Sequence, residues 1–370
     1  MKGIRRYLIA ALCAVILFTG CGKKNTDGEA PSEIVNMENE SAGDIAEEEL
    51  FPASYMGGSE IVKFDCTLEV PAEFDPKNFY LPEITGMQYI DSDAVYRNYV
   101  EGEEIKETYN YPSEKEGVPD DNVYIFNDDR TVSVSGVDGF GYYDPEVSRY
   151  RQVMRATERG ASQEDFEFGT GESCVEQVKE ALKNISYPVD EFEFSWFSLS
   201  GEEHEKLEQE ALQNGVIGEE NLQGDWTGKD EYEIYVWQIY DGLPVFPQWM
   251  TTALTRAVES YQKAPVSAVF TSNGMVSLHG DPPYIFEKTD KTADFLAFSE
   301  IAKAVEERYE KILTDSTYTV NRAKLAVRVY IDENQKYKAE LVWYFEVADN
   351  NGGTEILLFN AESGTEIFLN

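Results

Sequence analysis

Histidine is almost missing from this chain of 370 residues: only His204 and His279 are present. So few imidazoles leave little for a Cys-His nucleophile pair to use. Neither a Cys-x-x-Cys nor a His-x-x-x-His spacing occurs, and no glycine-rich phosphate loop follows a strand pattern. Gly-x-Ser-x-Gly is absent too, so "SWFS" carries a serine without the nucleophile elbow. "GVDGFGYYD" and "DNNGGTE" contain calcium-friendly residues but match no EF-hand loop, and read as turns. Nothing here specifies catalysis, a cofactor or a metal. Positive charge is scarce as well: 31 Lys and Arg stand against 70 Asp and Glu, a net charge of −39. A field of that sign repels nucleic acid and anionic headgroups. A partner selected electrostatically is therefore cationic, such as a basic protein segment. Long hydrophobic runs are missing: the one apolar stretch, residues 7–18, is too short to span a bilayer of roughly 30 Å as a helix.

That stretch has the length of a signal-peptide core, and Lys2, Arg5 and Arg6 precede it. It ends in Phe18-Thr19-Gly20-Cys21, which resembles the bacterial lipobox. The resemblance implies that residues 1–20 are removed and that Cys21 is acylated. Two acyl chains suffice for stable anchoring, so the expected location is the extracytoplasmic face of the cell membrane. Residues 21–56 then read as an acidic, disordered tether, with nine carboxylates between 27 and 49 and few large apolar residues.

Hydrophobic residues make up 42% of the chain and aromatics 13%, mostly Tyr and Phe, which favours strand-rich cores. The expected fold class is α+β: antiparallel sheets each covered by helices. The expected divisions are a β-rich region with one helix at 57–165, an α+β unit at 166–285, and an α-β-β-β unit at 286–370. Alternation over 61–70 marks the first strand and places Cys66 on its inward face. The stretch 71–119 shows only short strands and turns. "NVYIFNDDRTVSVSG" reads as a hairpin turning at 127–130. Asp144-Pro145 starts a helix on which Arg151, Arg155 and Arg159 form a basic row, expected to pair with the protein's own carboxylates. Ser173 to Glu176 spells a capping box, so Cys174 opens a helix, where the positive helix end can lower a thiol pKa. Cys66 and Cys174 are the two cysteines left for the folded part. They form either a disulfide or, as the better reading, two separate buried thiols.

"DEFEFSWFSLS" is a strand, and Ser200 with Glu203 caps a helix that stops at Asn214-Gly215. "YEIYVWQIYDGLPV" reads as one long strand, apolar on both faces and central in a sheet. A helix is expected over 249–263. Tyr235, Trp237 and Trp249 could line a groove for a glycan or small ligand, although their periodicity favours core packing. Asn273-Gly274 marks a hairpin. Phe298, Ile301, Val305 and Tyr309 share a helix face, and three alternating strands follow, with one sheet face left for water or a partner.

The closing stretch "AELVWYFEVADNNGGTEILLFNAESGTEIFLN" resembles the end of PepSY-type and YycH/YycI-type domains. In these a Trp-bearing strand precedes a hairpin turn of the form Asn/Asp-Ala-x-x-Gly; the matching residues are Trp343, Asn360, Ala361 and Gly364. "GMVSLHGDPPYIFEKTD" followed by "FSEIAKAVEERY" also resembles uncharacterised lipoproteins of gut-type clostridial bacteria. The resemblance covers roughly residues 170–370. It implies a binding or regulatory role without turnover: YycH and YycI are membrane-tethered regulators of a sensor kinase, and PepSY modules of protease propeptides inhibit or chaperone. The matched residues are architectural. The functional expectation is a lipid-anchored protein that binds a protein or peptide, with a glycan or small ligand as the alternative.

Overall fold

The computed structural model describes residues 50–113, 117–136, 138–150, 162–215, 217–247, 264–312 and 316–368. The signal segment, Cys21, most of the acidic tether, the Arg151/Arg155/Arg159 row and the helix expected over 249–263, with Trp249, lie outside these residues. No helix among the described residues is long and apolar enough to cross a membrane.

The chain is mixed α and β and mostly sheet. In order, the strands are β1 (Ser54–Gly58), β2 (Val62–Glu69), β3 (Tyr80–Met87), β4 (Ile105–Tyr111), β5 (Asp121–Phe126), β6 (Thr131–Ser135), β7 (Gly139–Tyr143), β8 (Phe192–Leu199) and β9 (Glu231–Tyr240). They continue as β10 (Leu243–Phe246), β11 (Val266–Thr271), β12 (Gly274–Gly280), β13 (Tyr284–Thr292), β14 (Tyr318–Ile331), β15 (Tyr337–Asp349), β16 (Thr354–Asn360) and β17 (Glu366–Ile367). The helices are α1 (Ser92–Tyr99), α2 (Val147–Tyr150), α3 (Gly171–Asn184), α4 (Gly201–Gln213) and α5 (Phe298–Glu310).

One hydrogen-bonded path joins β17-β16-β15-β14-β10-β9-β11-β12-β7-β6-β5-β4, while β13 and β3 form a separate ribbon. Pairing is antiparallel except where β14 meets β2 and β10, which run parallel to it. Those two parallel contacts depart from the wholly antiparallel expectation. They also carry the sheet across the expected divisions: β2, near the start of the folded part, pairs with β14 of the closing unit. The Arg322 guanidinium on β14 grips the Glu69 carboxylate on β2, a charge-assisted pair spanning 253 positions of sequence.

Two cores flank this sheet. In the first, Phe298, Ile301, Val305 and Tyr309 of α5 pack fully buried on Leu325, Val327, Trp343 and Phe345. Phe51 joins them, its ring 5.5 Å from that of Trp343. Leu50 and Phe51, which fall within the expected tether, are apolar residues that pack against this core. In the second core, Val175, Val178 and Leu182 of α3 pack on Ile234, Val236, Ala268 and Leu278. The reverse face of the closing strands is not open: Ala326, Val342, Tyr344 and Leu358 are buried there with Phe246 of β10.

Three local readings change. Helix α3 starts one turn earlier than Ser173, with the Thr170 hydroxyl accepting the Ser173 N–H at 3.1 Å. The apolar run 232–245 breaks into two antiparallel strands at Asp241-Gly242, both at positive φ (49° and 90°). The Asp-Gly signal for a two-residue hairpin turn outweighs the continuous hydrophobicity. Helix α1 arises inside the stretch that reads only as strands and turns; Asp91 caps it, its carboxylate accepting the Ala94 N–H at 2.9 Å.

Candidate functional site

The strand β12 ends in His279-Gly280, and Asp281-Pro282-Pro283 turns the chain into β13. Residues two apart in extended chain share a side, so His279 and Asp281 face one another across Gly280. His279 Nε2 lies 2.9 Å from Asp281 Oδ1, and its Nδ1 lies 3.5 Å from the Tyr143 hydroxyl. Both ring nitrogens of His279 are thus engaged, Nε2 by the carboxylate and Nδ1 by the phenol.

The corner is held by backbone bonds. Asp281 N–H donates to the Pro265 carbonyl at 2.8 Å, and Gln88 N–H donates to the Pro283 carbonyl at 2.8 Å. The Tyr187 hydroxyl donates to the Asp281 carbonyl at 2.7 Å; burial holds that phenol well above its ordinary pKa, so it remains a donor. Gln238 of β9 clamps the start of β13. Its amide donates to the Tyr284 carbonyl at 2.7 Å and accepts the Tyr284 N–H at 3.0 Å.

These residues border a cleft of about 480 Å³, inside the size range of small-molecule and peptide side-chain pockets. Tyr187, Phe192, Tyr284 and Tyr337 supply aromatic walls, and Pro247, Pro265, Pro282 and Pro283 supply rigid ones. Its polar groups are Asp138, Gln238, Ser267, His279 and Asp281; no lysine or arginine is among its described lining residues. Tyr337 begins β15 of the first core and His279 ends β12 of the second sheet half, so the cleft lies at the seam between the two cores. Ser267 stands opposite His279 across the β11–β12 ladder.

The residues singled out from sequence fall elsewhere. Tyr235 is 2% exposed, packed with Phe197 at a ring distance of 6.1 Å. It is core, because β9 has strands on both edges and a covered face at that position. Trp237 sits in a separate shallow hollow of about 260 Å³ with Glu69, Glu193 and Lys324. Trp237 also packs against the small cluster that contains Tyr235, and Trp249 lies outside the described residues. His204 is fully buried, its ring stacked on Trp226 at 4.6 Å and its Nε2 3.2 Å from Glu231. The sequence signal for the actual cleft was "HGDPPY": two polar residues on one side of a strand end, then a rigid double-proline corner.

Cys66 and Cys174 are free and buried in different cores, Cys66 in the first and Cys174 in the second, which excludes a disulfide between them. Burial pushes both thiols up to about 11, for Cys66 with a smaller push from Asp65. Burial thus overrides the helix-end effect expected at Cys174. Tyr99 and Tyr240 are likewise raised by burial to about 12, with smaller contributions from Tyr142 and Asp241 respectively. Each of these acids has a folded pKa above its unfolded one. Its stabilising contribution is whole below the unfolded value and is lost as pH rises through the folded value. The expected result is a denaturation midpoint that falls between about pH 9 and pH 12. Neither thiol should react with Ellman's reagent at pH 8 until the protein is unfolded. Fast labelling of the native protein would contradict this account.

No protein-family model matches the chain, and no curated protein matches it. Solved structures do. The chain resembles an uncharacterized protein from Eubacterium rectale ATCC 33656, with a TM-score of 0.57 at 13% identity, covering 86% of this chain and 94% of that one. The two share a fold. At that identity the likeness extends to architecture alone. The Bacillus megaterium YpeB C-terminal domain also aligns, with a TM-score of 0.31 at 8% identity, over 75% of this chain and 96% of that one.

Proposed function

We propose that this protein is a lipid-anchored, non-catalytic binding protein of the cell surface, and that its seam cleft receives a basic side chain of a protein or peptide partner. The observation that carries this reading is the lining of the cleft. Aromatic and proline walls surround Asp138 and Asp281, no lysine or arginine is among the described lining residues, and the Asp281 carboxylate already holds the His279 ring at 2.9 Å. A guanidinium or ammonium entering such a site gains ring contacts and a carboxylate together. The net charge of −39 favours the same ligands at long range and speeds their encounter. The resemblance of the closing strands to PepSY-type and YycH/YycI-type domains supports binding over turnover. The lipobox-like segment supports anchoring through Cys21, behind an acidic tether that holds the folded part off the membrane.

Titration calorimetry of the full-length protein in detergent, with an arginine- and lysine-rich decapeptide as probe, tests the reading. Asp281→Asn is expected to weaken binding roughly tenfold, a loss of about 1.4 kcal/mol, and added salt to weaken it further. Tyr337→Ala should weaken binding without changing the salt dependence. Equal affinity for a glutamate-substituted peptide, or unchanged binding by Asp281→Asn, would overturn the cleft assignment. Cys21→Ser is expected to move the protein from the membrane fraction, or to leave its precursor uncut.

A further inference from the structure

The sheet path ends at one side in β17, two residues long, and at the other in β4, which is seven. All seven residues of β4, Ile105–Tyr111, are exposed, and among the described residues its one strand neighbour is β5. In an antiparallel pair about half of the main-chain N–H and C=O groups of an edge strand point outward. Seven residues give an open edge of roughly 24 Å.

Natural edges of this kind are usually guarded by a charged side chain, most often lysine, held over the open side. Here the guard is turned away. Lys106 Nζ reaches back to Asp129 Oδ1 at 2.8 Å, over the hairpin that joins β5 to β6. Asn110 likewise reaches inward, its amide donating to Asn122 Oδ1 at 2.9 Å. The Tyr109 hydroxyl donates to Glu107 on its own strand. Tyr109 and Tyr111 stack with ring centroids 6.5 Å apart and planes 7° from parallel, and they are 42% and 56% exposed. Ile105 adds a third large apolar side chain, 40% exposed. Among the described residues the edge thus presents unpaired backbone and a short aromatic ledge, with the Lys106 and Asn110 side chains turned towards β5 and its hairpin.

We propose that β4 takes up an extended, basic segment of a partner protein as an added strand. The surrounding charge selects that occupant. Residues 101–113 hold four glutamates and one lysine, and 117–130 hold four aspartates and one arginine. A second copy of the chain would bring the same carboxylates and a further −39 against them, so edge-to-edge pairing of two copies is opposed. Main-chain bonds supply affinity in this mode, and alternate side chains supply selection. Those side chains lie over the Tyr109–Tyr111 ledge. The edge stands apart from the cleft: none of its residues lines that cavity, and the proposal does not rest on the cleft reading.

The test uses the full-length protein in detergent and, as probe, an acetylated nine-residue peptide alternating valine with lysine and threonine. Hydrogen exchange followed by mass spectrometry reads residues 105–111. Saturating peptide is expected to slow exchange across that segment at least tenfold. A Tyr109→Ala, Tyr111→Ala double variant, which leaves the backbone edge in place, should bind roughly tenfold more weakly. The exchange reading is local to β4, so it is distinct from any binding of the lysine-bearing probe at the cleft. Three results would overturn the proposal: no binding, binding with exchange at 105–111 unaltered, or equal protection by a glutamate-for-lysine peptide. Protection that grows with protein concentration in the absence of peptide would also overturn it, since it would make the occupant a second copy of the chain.

Discussion

Trp343→Ala is expected to destabilise the protein by about 3–5 kcal/mol, the range for deleting a large buried aromatic. The indole is fully buried at the centre of the first core. Its ring lies 4.8 Å from that of Phe298 on α5, 5.5 Å from Phe51 and 6.4 Å from Phe345. Its removal therefore loosens the helix, the entering chain and the sheet together. The surrounding side chains come from α5, β15 and the segment before β1, so no single element can shift to fill the void. Trp343→Phe sharpens the expectation. The indole N–H is buried with no hydrogen-bond partner among the described residues. A buried unpaired donor costs about 1–3 kcal/mol, so phenylalanine removes that cost while leaving a smaller gap. It should lose under half of what alanine loses. Urea denaturation with an unchanged slope checks both values. Equal losses for the two variants would show that the ring is not the source of the effect.

Gly139→Ala is the second large effect, and it reaches the cleft. Gly139 opens β7 with φ of 78°, a backbone conformation that costs an L side chain about 1–2 kcal/mol. A Cβ there would stand 2.0 Å from the Gly280 carbonyl oxygen and 2.9 Å from the Asp281 Cα. Both are backbone atoms, so no side-chain rotation relieves the clash, and the β7–β12 pairing between Phe140 and Gly280 must open. The total loss should reach about 3 kcal/mol or more. Because the displaced atoms flank His279 and Asp281, binding of the basic decapeptide should fall along with stability. Exchange at 105–111 should remain as in the parent at low denaturant, since β6 and β5 stand between β7 and β4 on the path. A variant of unaltered midpoint would disprove the close approach of β7 to the corner.

The strands β2, β14 and β15 were legible because one face of each is apolar at period two: Val62, Phe64, Cys66 and Leu68 are all buried, as are Leu325, Val327 and Val329. Helix α5 was legible from its four-residue apolar stripe, and α4 from its capping box, which forms between Ser200 and Glu203. Helix α1 was not, because only Ala94 and Val95 of its eight residues are buried and no stripe emerges. The surroundings of Tyr235 and Trp237 were not legible for a related reason. Composition shows that Tyr235 and Trp237 are ring-bearing, but their burial depends on which strands cover β9.

Local chemistry alone determined the class of structure, the strong alternating strands and the acidic field, since each depends on residues near one another in the chain. The joining of β2 to β14, the placing of Cys66 and Cys174 in separate cores, and the meeting of His279, Asp281 and Tyr337 at one cleft were decided only by tertiary packing. Such contacts are selected by shape and burial summed over many distant residues. No short window of sequence contains that sum.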